Sequence, residues 1–331
     1  MDFRDKPRLS IIIVNYDSWG ELMPQVSQWL STPEFQTGLI ELIVVDNHSP
    51  TPAPQERSQR SGLIWIDHHE NVGFAAGVNI GWKHAQGSWI LIANPDLVIT
   101  KSHAKQILAL LDKLDSPAKP ITQQKIGIIG VSLTNPDGSR QPSVGIFPTM
   151  LRAFIEFLLP RKRRRYQIVS PEKFSVVDWV TGAFFLVRSQ TMQELNGFDT
   201  DYFLYFEETD FCQRSRSQGW LTSFAPEIQV CHLKPLQNRS ISPMIRFWTR
   251  HSRLLYFQKN RPRREFLMML MLIRTEAIVK YHLAKWGIGA FPAEIWWEVR
   301  KLADEFAENR FPVGVDVRIR AEKILKNNSK S

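Results

Sequence analysis

The stretch Trp89-Ile90-Leu91-Ile92-Ala93-Asn94-Pro95-Asp96 decides the architecture. Five apolar residues run without alternation and stop at three that suit a turn. Short runs of this kind, bounded by turn residues, suit strands buried on both faces. The pattern recurs along the first half of the chain. Residues 9–14 stop at Asn15-Tyr16, residues 39–45 at Asp46-Asn47, and residues 63–66 at Asp67; residues 126–131 form a fifth run. Segments 21–30, 75–85 and 102–114, which lie between these runs, carry helical spacing. Strands alternating with helices predict an α/β fold with a mostly parallel central sheet covered on both faces.

Polar residues fall repeatedly where these strands end. In open α/β sheets ligands bind at the carboxyl ends of the strands. Asn15, Asp46, Asp67 and Asp96 are therefore expected to share one crevice, although each alone could simply cap a strand and start a turn. The chain has 331 residues, 43% hydrophobic and 23% charged, enough to bury a large core. Its two cysteines, Cys212 and Cys231, exclude a disulfide scaffold and suit a reducing, cytoplasmic compartment. The longest purely apolar run, residues 266–273, is far short of the ~20 residues that span a bilayer. Residues 1–8 show no export signal.

The net charge is +9. The densest basic cluster, Arg161-Lys162-Arg163-Arg164-Arg165, has no interleaved aromatic residues, so no nucleic-acid partner is expected; a solvated loop or an anionic membrane surface suits it better. From residue 244 the chain reads as helical, over 246–259, 265–283 and 288–297. Two explanations compete for these apolar, basic and aromatic helices. They pack on the first domain, or one face rests in a bilayer interface, which would make the protein peripheral on the membrane. The expected division is a domain over residues 1–243 and a helical region over 244–331.

Walker, Rossmann, serine-elbow and zinc signatures are absent, which leaves a system of carboxylates. Asp96 projects from a stiff turn and could ligate a hard divalent cation that also holds phosphate. Glu207-Glu208-Thr209-Asp210 follows an aromatic-rich stretch and crowds three acids where a helix begins. Crowding and burial would suit one of them to act as a general base; the plainer reading is an acidic first turn. Asp178-Trp179-Val180-Thr181-Gly182-Ala183 leads into another apolar run, and Trp179 is either core or a wall for a sugar ring.

Taken in order, these residues resemble the family 2 inverting glycosyltransferases, in their rhamnosyltransferase-like branch. The resemblance runs through Ile13-Val14-Asn15-Tyr16, Val44-Val45-Asp46-Asn47-His48-Ser49, Asn71-Val72-Gly73-Phe74-Ala75-Ala76-Gly77-Val78-Asn79-Ile80-Gly81 and Asn94-Pro95-Asp96. It continues through Asp137-Gly138-Ser139-Arg140-Gln141, Phe147-Pro148-Thr149, the Asp178 segment, Gly197-Phe198-Asp199, the acidic segment and Val230-Cys231-His232. It implies a GT-A type nucleotide-sugar-binding fold with a C-terminal helical extension, a nucleotide-diphosphate sugar donor, and Mg²⁺ or Mn²⁺. Asp46 would accept from the nucleotide base, with Asn15 and Tyr16 lining the same pocket. Asn71, Gly73 and Asn79 would cover the donor, together with Asn94, Trp179 and Gly182. Asp96 and His232 would ligate the metal.

The resemblance places the base at Glu208, where relatives carry Asp, with Glu207 and Asp210 as alternatives. The implied reaction is a single displacement that inverts the anomeric carbon. Rhamnose from dTDP-rhamnose is the favoured sugar, and a glycan or polyprenyl-linked saccharide the acceptor, in polysaccharide biosynthesis. The competing expectation is a catalytically silent relative that binds nucleotide sugar or serves as a scaffold. A sugar-1-phosphate nucleotidyltransferase is disfavoured, because Asn15-Tyr16-Asp17-Ser18-Trp19 is not the glycine-rich, basic loop such enzymes carry after the first strand.

Overall fold

The computed structural model describes residues 6–55, 57, 59–116, 125–158, 170–234, 242–289 and 291–328. The cluster Arg161 to Arg165 lies outside them. The expected strands form at β1 (Leu9–Asn15), β2 (Ile40–Asp46), β3 (Leu63–Asp67), β4 (Trp89–Ala93) and β6 (Ile126–Thr134). The expected helices form at α1 (Trp19–Leu30), α3 (Phe74–Trp82) and α4 (Lys101–Asp115), with a short α2 (Pro33–Gln36) after α1. The elements that complete the sheet are β5 (Leu97–Val98), β7 (Arg140–Gln141), β9 (Ser175–Val177), β11 (Phe184–Arg188) and β12 (Leu221–His232). A small second sheet pairs β8 (Val144–Gly145) with β10 (Trp179–Val180).

The main sheet runs β3-β2-β1-β4-β11-β6-β12-β5. Its first four strands are all parallel. β11 is antiparallel to both β4 and β6, and β12 returns parallel to β6. The unalternated apolar runs are explained by two cores. Ile11, Ile13, Leu42, Val44 and Leu91 face one layer, while Ile12, Val14, Ile43, Val45, Ile90 and Ile92 face the other. Glu41, the polar residue inside the second run, is buried but accepts from the Ser10 hydroxyl (2.5 Å) and the Gln86 amide (2.7 Å). A buried charge is tolerated when it is hydrogen-bonded in this way.

The remaining helices are α5 (Met150–Leu158), α6 (Ser189–Glu194), α7 (Glu207–Ser217), α8 (Pro243–Asn260), α9 (Arg263–Lys285), α10 (Ala293–Ala307) and α11 (Gly314–Asn328). The expected helix over 288–297 is corrected: residues 288 and 289 are not helical, and α10 starts after Pro292. Proline lacks a backbone donor and suits a helix start, not a helix interior. A third core joins Tyr202 and Phe203 to side chains of α8 to α11, so the helical region closes over the loop that precedes α7. Among the described residues, no helix is long and apolar enough to cross a membrane.

Candidate active site

Parallel register builds the first wall of the site. Asn15 pairs across from Asp46, and Asp46 across from Asp67, so three polar strand ends lie side by side. The Asn15 amide donates to Asp46 Oδ1 (2.9 Å) and to the Ser49 hydroxyl (3.1 Å), while the Ser49 amide donates to Asp46 Oδ2 (3.2 Å). Tyr16 follows with its ring half exposed. Asp67 receives Arg57 Nη1 at 2.7 Å on both oxygens, and the guanidinium lies 5.1 Å from the rings of Trp19 and Trp65.

The segment from Asn71 to Gly73 lies against this wall. Asn47 braces it through three bonds of 3.0 Å: to Asn71 Oδ1, to the Gly73 carbonyl, and from the Val72 amide. Gly73 has φ 87°, and a Cβ there would fall 2.4 Å from the Phe203 carbonyl oxygen, so only glycine fits. Asn79 is engaged differently. Its amide donates to the Phe198 carbonyl (2.7 Å) and accepts from the Phe198 amide (2.9 Å), which ties α3 to the 197–198 turn.

A second wall is made where β5 folds back on the end of β12. That antiparallel pairing sets His232 opposite Leu97, beside Asp96. His232 Nε2 is 3.2 Å from Asp96 Oδ1 and 3.4 Å from Asn94 Nδ2; its Nδ1 is 3.1 Å from Gln141 Oε1. The Gln141 amide nitrogen donates to two backbone carbonyls, of His232 (2.8 Å) and Thr134 (3.0 Å). Its oxygen must therefore face the imidazole, so Nδ1 carries a proton and Nε2 is the nitrogen turned toward the Asp96 carboxylate. An approach of 3.2 Å suits either a proton on Nε2 donated to the carboxylate or a cation ligated by both atoms. An oxygen and an imidazole nitrogen are a donor set that fits a divalent metal. No group of three or more His, Cys, Asp or Glu suited to a metal occurs among the described residues, so the other ligands would come from diphosphate and water.

The acids of α7 form the third wall. Tyr205 (φ 71°) and Phe206 (φ 69°) are consecutive left-handed residues just ahead of the helix. Such conformations are strained and persist only when packing holds them. Here the Ser252 hydroxyl bonds the Leu204 carbonyl (2.8 Å), and Phe206 lies 5.6 Å from the Tyr256 ring. Glu207 and Glu208 are buried in the first turn. A Cβ placed on Gly182 would lie 3.7 Å from Glu208 Cβ and 3.6 Å from the Phe74 ring, and the Asn94 amide bonds the neighbouring Ala183 carbonyl (2.9 Å). Glu208 thus adjoins Gly182, whose neighbour Ala183 is bonded to Asn94 beside the Asp96–His232 pair, so the second and third walls meet.

Asp210 does not belong with them. It accepts from Arg214 Nε (2.7 Å), Asn260 Nδ2 (2.7 Å) and the Tyr202 hydroxyl (3.3 Å), and is 1% exposed. That saturated carboxylate holds α7 to α8 and is removed from the candidate bases. Trp179 is 2% exposed, donates Nε1–H to the Ile146 carbonyl (3.0 Å) and packs on Gly145. It is core, and the alternative of a wall for a sugar ring is corrected. Cys212, inside α7, has its thiol pushed up to about 12 by burial and is not a nucleophile.

Sequence reasoning singled out neither Asn47, Ser49 nor Gln141 as site residues. Asn47 and Ser49 could have been read from the dense polar run after β2. Gln141 belongs to a motif of the resemblance, but its role toward His232 could not be read from it, because that partner lies 91 residues away.

Residues 10–134 match the family described as Glycosyl transferase family 2. The N-acetylglucosaminyl-diphospho-decaprenol L-rhamnosyltransferase of Mycobacterium tuberculosis is 26% identical, over 68% of this chain and 76% of its own. The rhamnosyltransferase WbbL of Escherichia coli is 26% identical, over 67% and 83%. The low-salt glycan biosynthesis hexosyltransferase Agl10 of Haloferax volcanii is 25% identical, over 69% and 68%. Among solved structures, the Pyrobaculum calidifontis mannosyltransferase PcManGT, in complex with GDP-Man and Mn²⁺, shares the fold with a TM-score of 0.50 and 15% identity, over 98% of this chain and 80% of that one. GalNAc-T7 with UDP, GalNAc and Mn²⁺ aligns with a TM-score of 0.52 and 13% identity, over 94% and 59%. Residues 10–134 thus carry the match to the glycosyl transferase family 2 model, and the chain shares the GT-A type fold of these glycosyltransferases.

Proposed function

We propose that the chain is an inverting, metal-dependent transferase that moves rhamnose from a dTDP-linked donor to a lipid-linked saccharide at the cytoplasmic face of a membrane. The observation that carries this reading is the Asp96–His232 pair, joined through Asn94 and Gly182–Ala183 to Glu208. Relatives named rhamnosyltransferases, one with a decaprenol-linked acceptor in its name, favour the sugar and the acceptor class.

Asn15, Tyr16 and Asp46 bind the nucleoside, and the Asn47-braced segment at Gly73 lies along the donor. Asp96 and His232 would hold Mg²⁺ or Mn²⁺, which would offset charge on the departing diphosphate. Glu208 takes the proton from the acceptor hydroxyl. The freed oxygen pair attacks the anomeric carbon from the face opposite the diphosphate, and the breaking C–O bond leaves its electrons on that diphosphate. The product is an inverted glycoside. Glutamate reaches one methylene further than aspartate, so the acceptor sits correspondingly further from α7.

Hydrolysis of a panel of nucleotide sugars with Mn²⁺, by the wild type, Asp96→Ala and Glu208→Gln, tests the proposal. One donor hydrolysed slowly, with the activity lost in both variants, is the expected result. Activity retained in Glu208→Gln moves the base to Glu207. No hydrolysis together with no donor binding by calorimetry overturns the reading in favour of a silent relative.

A further inference from the structure

The outward face of α9 is largely apolar, with Thr275 and His282 as exposed polar residues within it. Met268, Met271, Val279 and Trp286, just past its end, are exposed, with Met271 at 69% and Trp286 at 76%. Their spacings of three, eight and seven residues place them on one stripe about 27 Å long. Leu267 and Leu272 widen it. Beside its start, α5 turns Leu151 (70%) and Phe154 (62%) outward; the two helices meet where Glu265 accepts from the Met150 amide.

The charges on α9 are sorted by side. Both of its acids are only partly exposed and engaged with neighbours: Glu265 with Arg261 (2.7 Å) and Glu276 with Arg250 (2.7 Å). The exposed charged residues on α9 are all basic: Arg263, Arg264, Arg274, Lys280 and Lys285, of which Arg274 pairs with Asp304 (2.9 Å) and Lys280 with Glu276 (3.9 Å). An apolar stripe edged by cations alone, with a tryptophan at its end, complements an anionic bilayer interface. A second copy of the chain would bring the same cations together, which disfavours self-association on this face.

We infer that α9, with the exposed side of α5, docks the protein on an anionic lipid surface, its apolar stripe lying in the headgroup region. The surface is independent of the donor chemistry, so this inference stands or falls separately from the proposed reaction. It explains how an enzyme without a spanning helix among its described residues could work on a lipid-held acceptor.

Co-flotation of the full chain with vesicles tests it. The wild type is expected to float with phosphatidylcholine vesicles containing about a third phosphatidylglycerol, and to stay in the dense fraction with pure phosphatidylcholine. The doubly substituted Met268→Glu/Met271→Glu protein is expected to lose at least tenfold in partitioning, with an unchanged thermal melt and unchanged metal-dependent donor hydrolysis in vesicle-free buffer. Failure of the wild type to float with anionic vesicles overturns the inference, as does equal flotation of the double variant. A wild-type dimer that the double variant converts to a monomer, with vesicle binding unaltered, would assign the stripe to self-association and also overturn it.

Discussion

Gln141 and His232 are locked together at both ends of one amide: the Gln141 nitrogen donates to the His232 carbonyl at 2.8 Å while its oxygen accepts from His232 Nδ1 at 3.1 Å. The first bond fixes which way the amide points, and the second then fixes which ring nitrogen is protonated. Replacing Gln141 with Leu removes both constraints and leaves Asp96 and His232 in place. Loss of an orienting partner of this kind costs roughly 10–100-fold in metal affinity. Mn²⁺ titration of the Gln141→Leu variant, followed by electron paramagnetic resonance, should show a loss in that range. Unchanged affinity would mean that the imidazole needs no orientation from this side.

Glu208 and Asp210 sit two residues apart on α7, and their substitutions should behave oppositely. Breaking a buried ion pair by removing one partner costs about 3–5 kcal/mol. Asp210→Ala, which abandons Arg214, Asn260 and Tyr202, should therefore lower unfolding free energy by that order. Glu208→Gln keeps shape and relieves a buried charge, so stability should hold or rise. Denaturant titration of the two variants checks the contrast.

Asn47 is predicted to matter for donor binding and not for the chemical step. Its three bonds to residues 71–73 hold the segment proposed to lie along the donor. Asn47→Ala should weaken donor binding about tenfold, the effect of ~1.4 kcal/mol, with kcat little altered. Isothermal calorimetry and steady-state kinetics separate the two.

His251 gives the fold a pH dependence. It is fully buried on α8, donates Nε2–H to the Pro312 carbonyl (2.6 Å), and burial lowers its pKa from 6.5 to about 4. Asp201 opposes that shift, while Arg320 and Lys259 add to it. Because the folded value is depressed, the unfolded chain binds the proton first as pH falls. The stability present above about pH 6.5 is therefore lost progressively toward pH 4, by about 2 kcal/mol at pH 5. His251→Asn should flatten that part of the profile, as read from denaturant unfolding at pH 7.5 and pH 5.

The strands were legible because burial on both faces leaves unbroken apolar runs, and Asp46 and Asp96 were legible because they end such runs. What the sequence concealed depends on pairing between distant segments. The association of His232 with Asp96 was legible only through the family resemblance, because nothing local marks the register of β5 against β12 that brings them together. Asp210 looked equivalent to its neighbours, since the partners that saturate it, Asn260 above all, come from another helix. Trp179 was ambiguous until Gly145, 34 positions earlier, proved to be the surface it packs on. The insertion of β11 antiparallel within the sheet likewise could not be read from an apolar run that has no direction.

The central claim is that Glu208 removes the acceptor proton within a site whose donor binding is set by other residues. The most direct measurement is kcat together with donor dissociation constant for Glu208→Gln, at saturating Mn²⁺. Base catalysis is typically worth ~10²–10⁴-fold, so kcat should fall within that range while donor affinity stays within about threefold. A kcat within tenfold of the wild type would contradict the account.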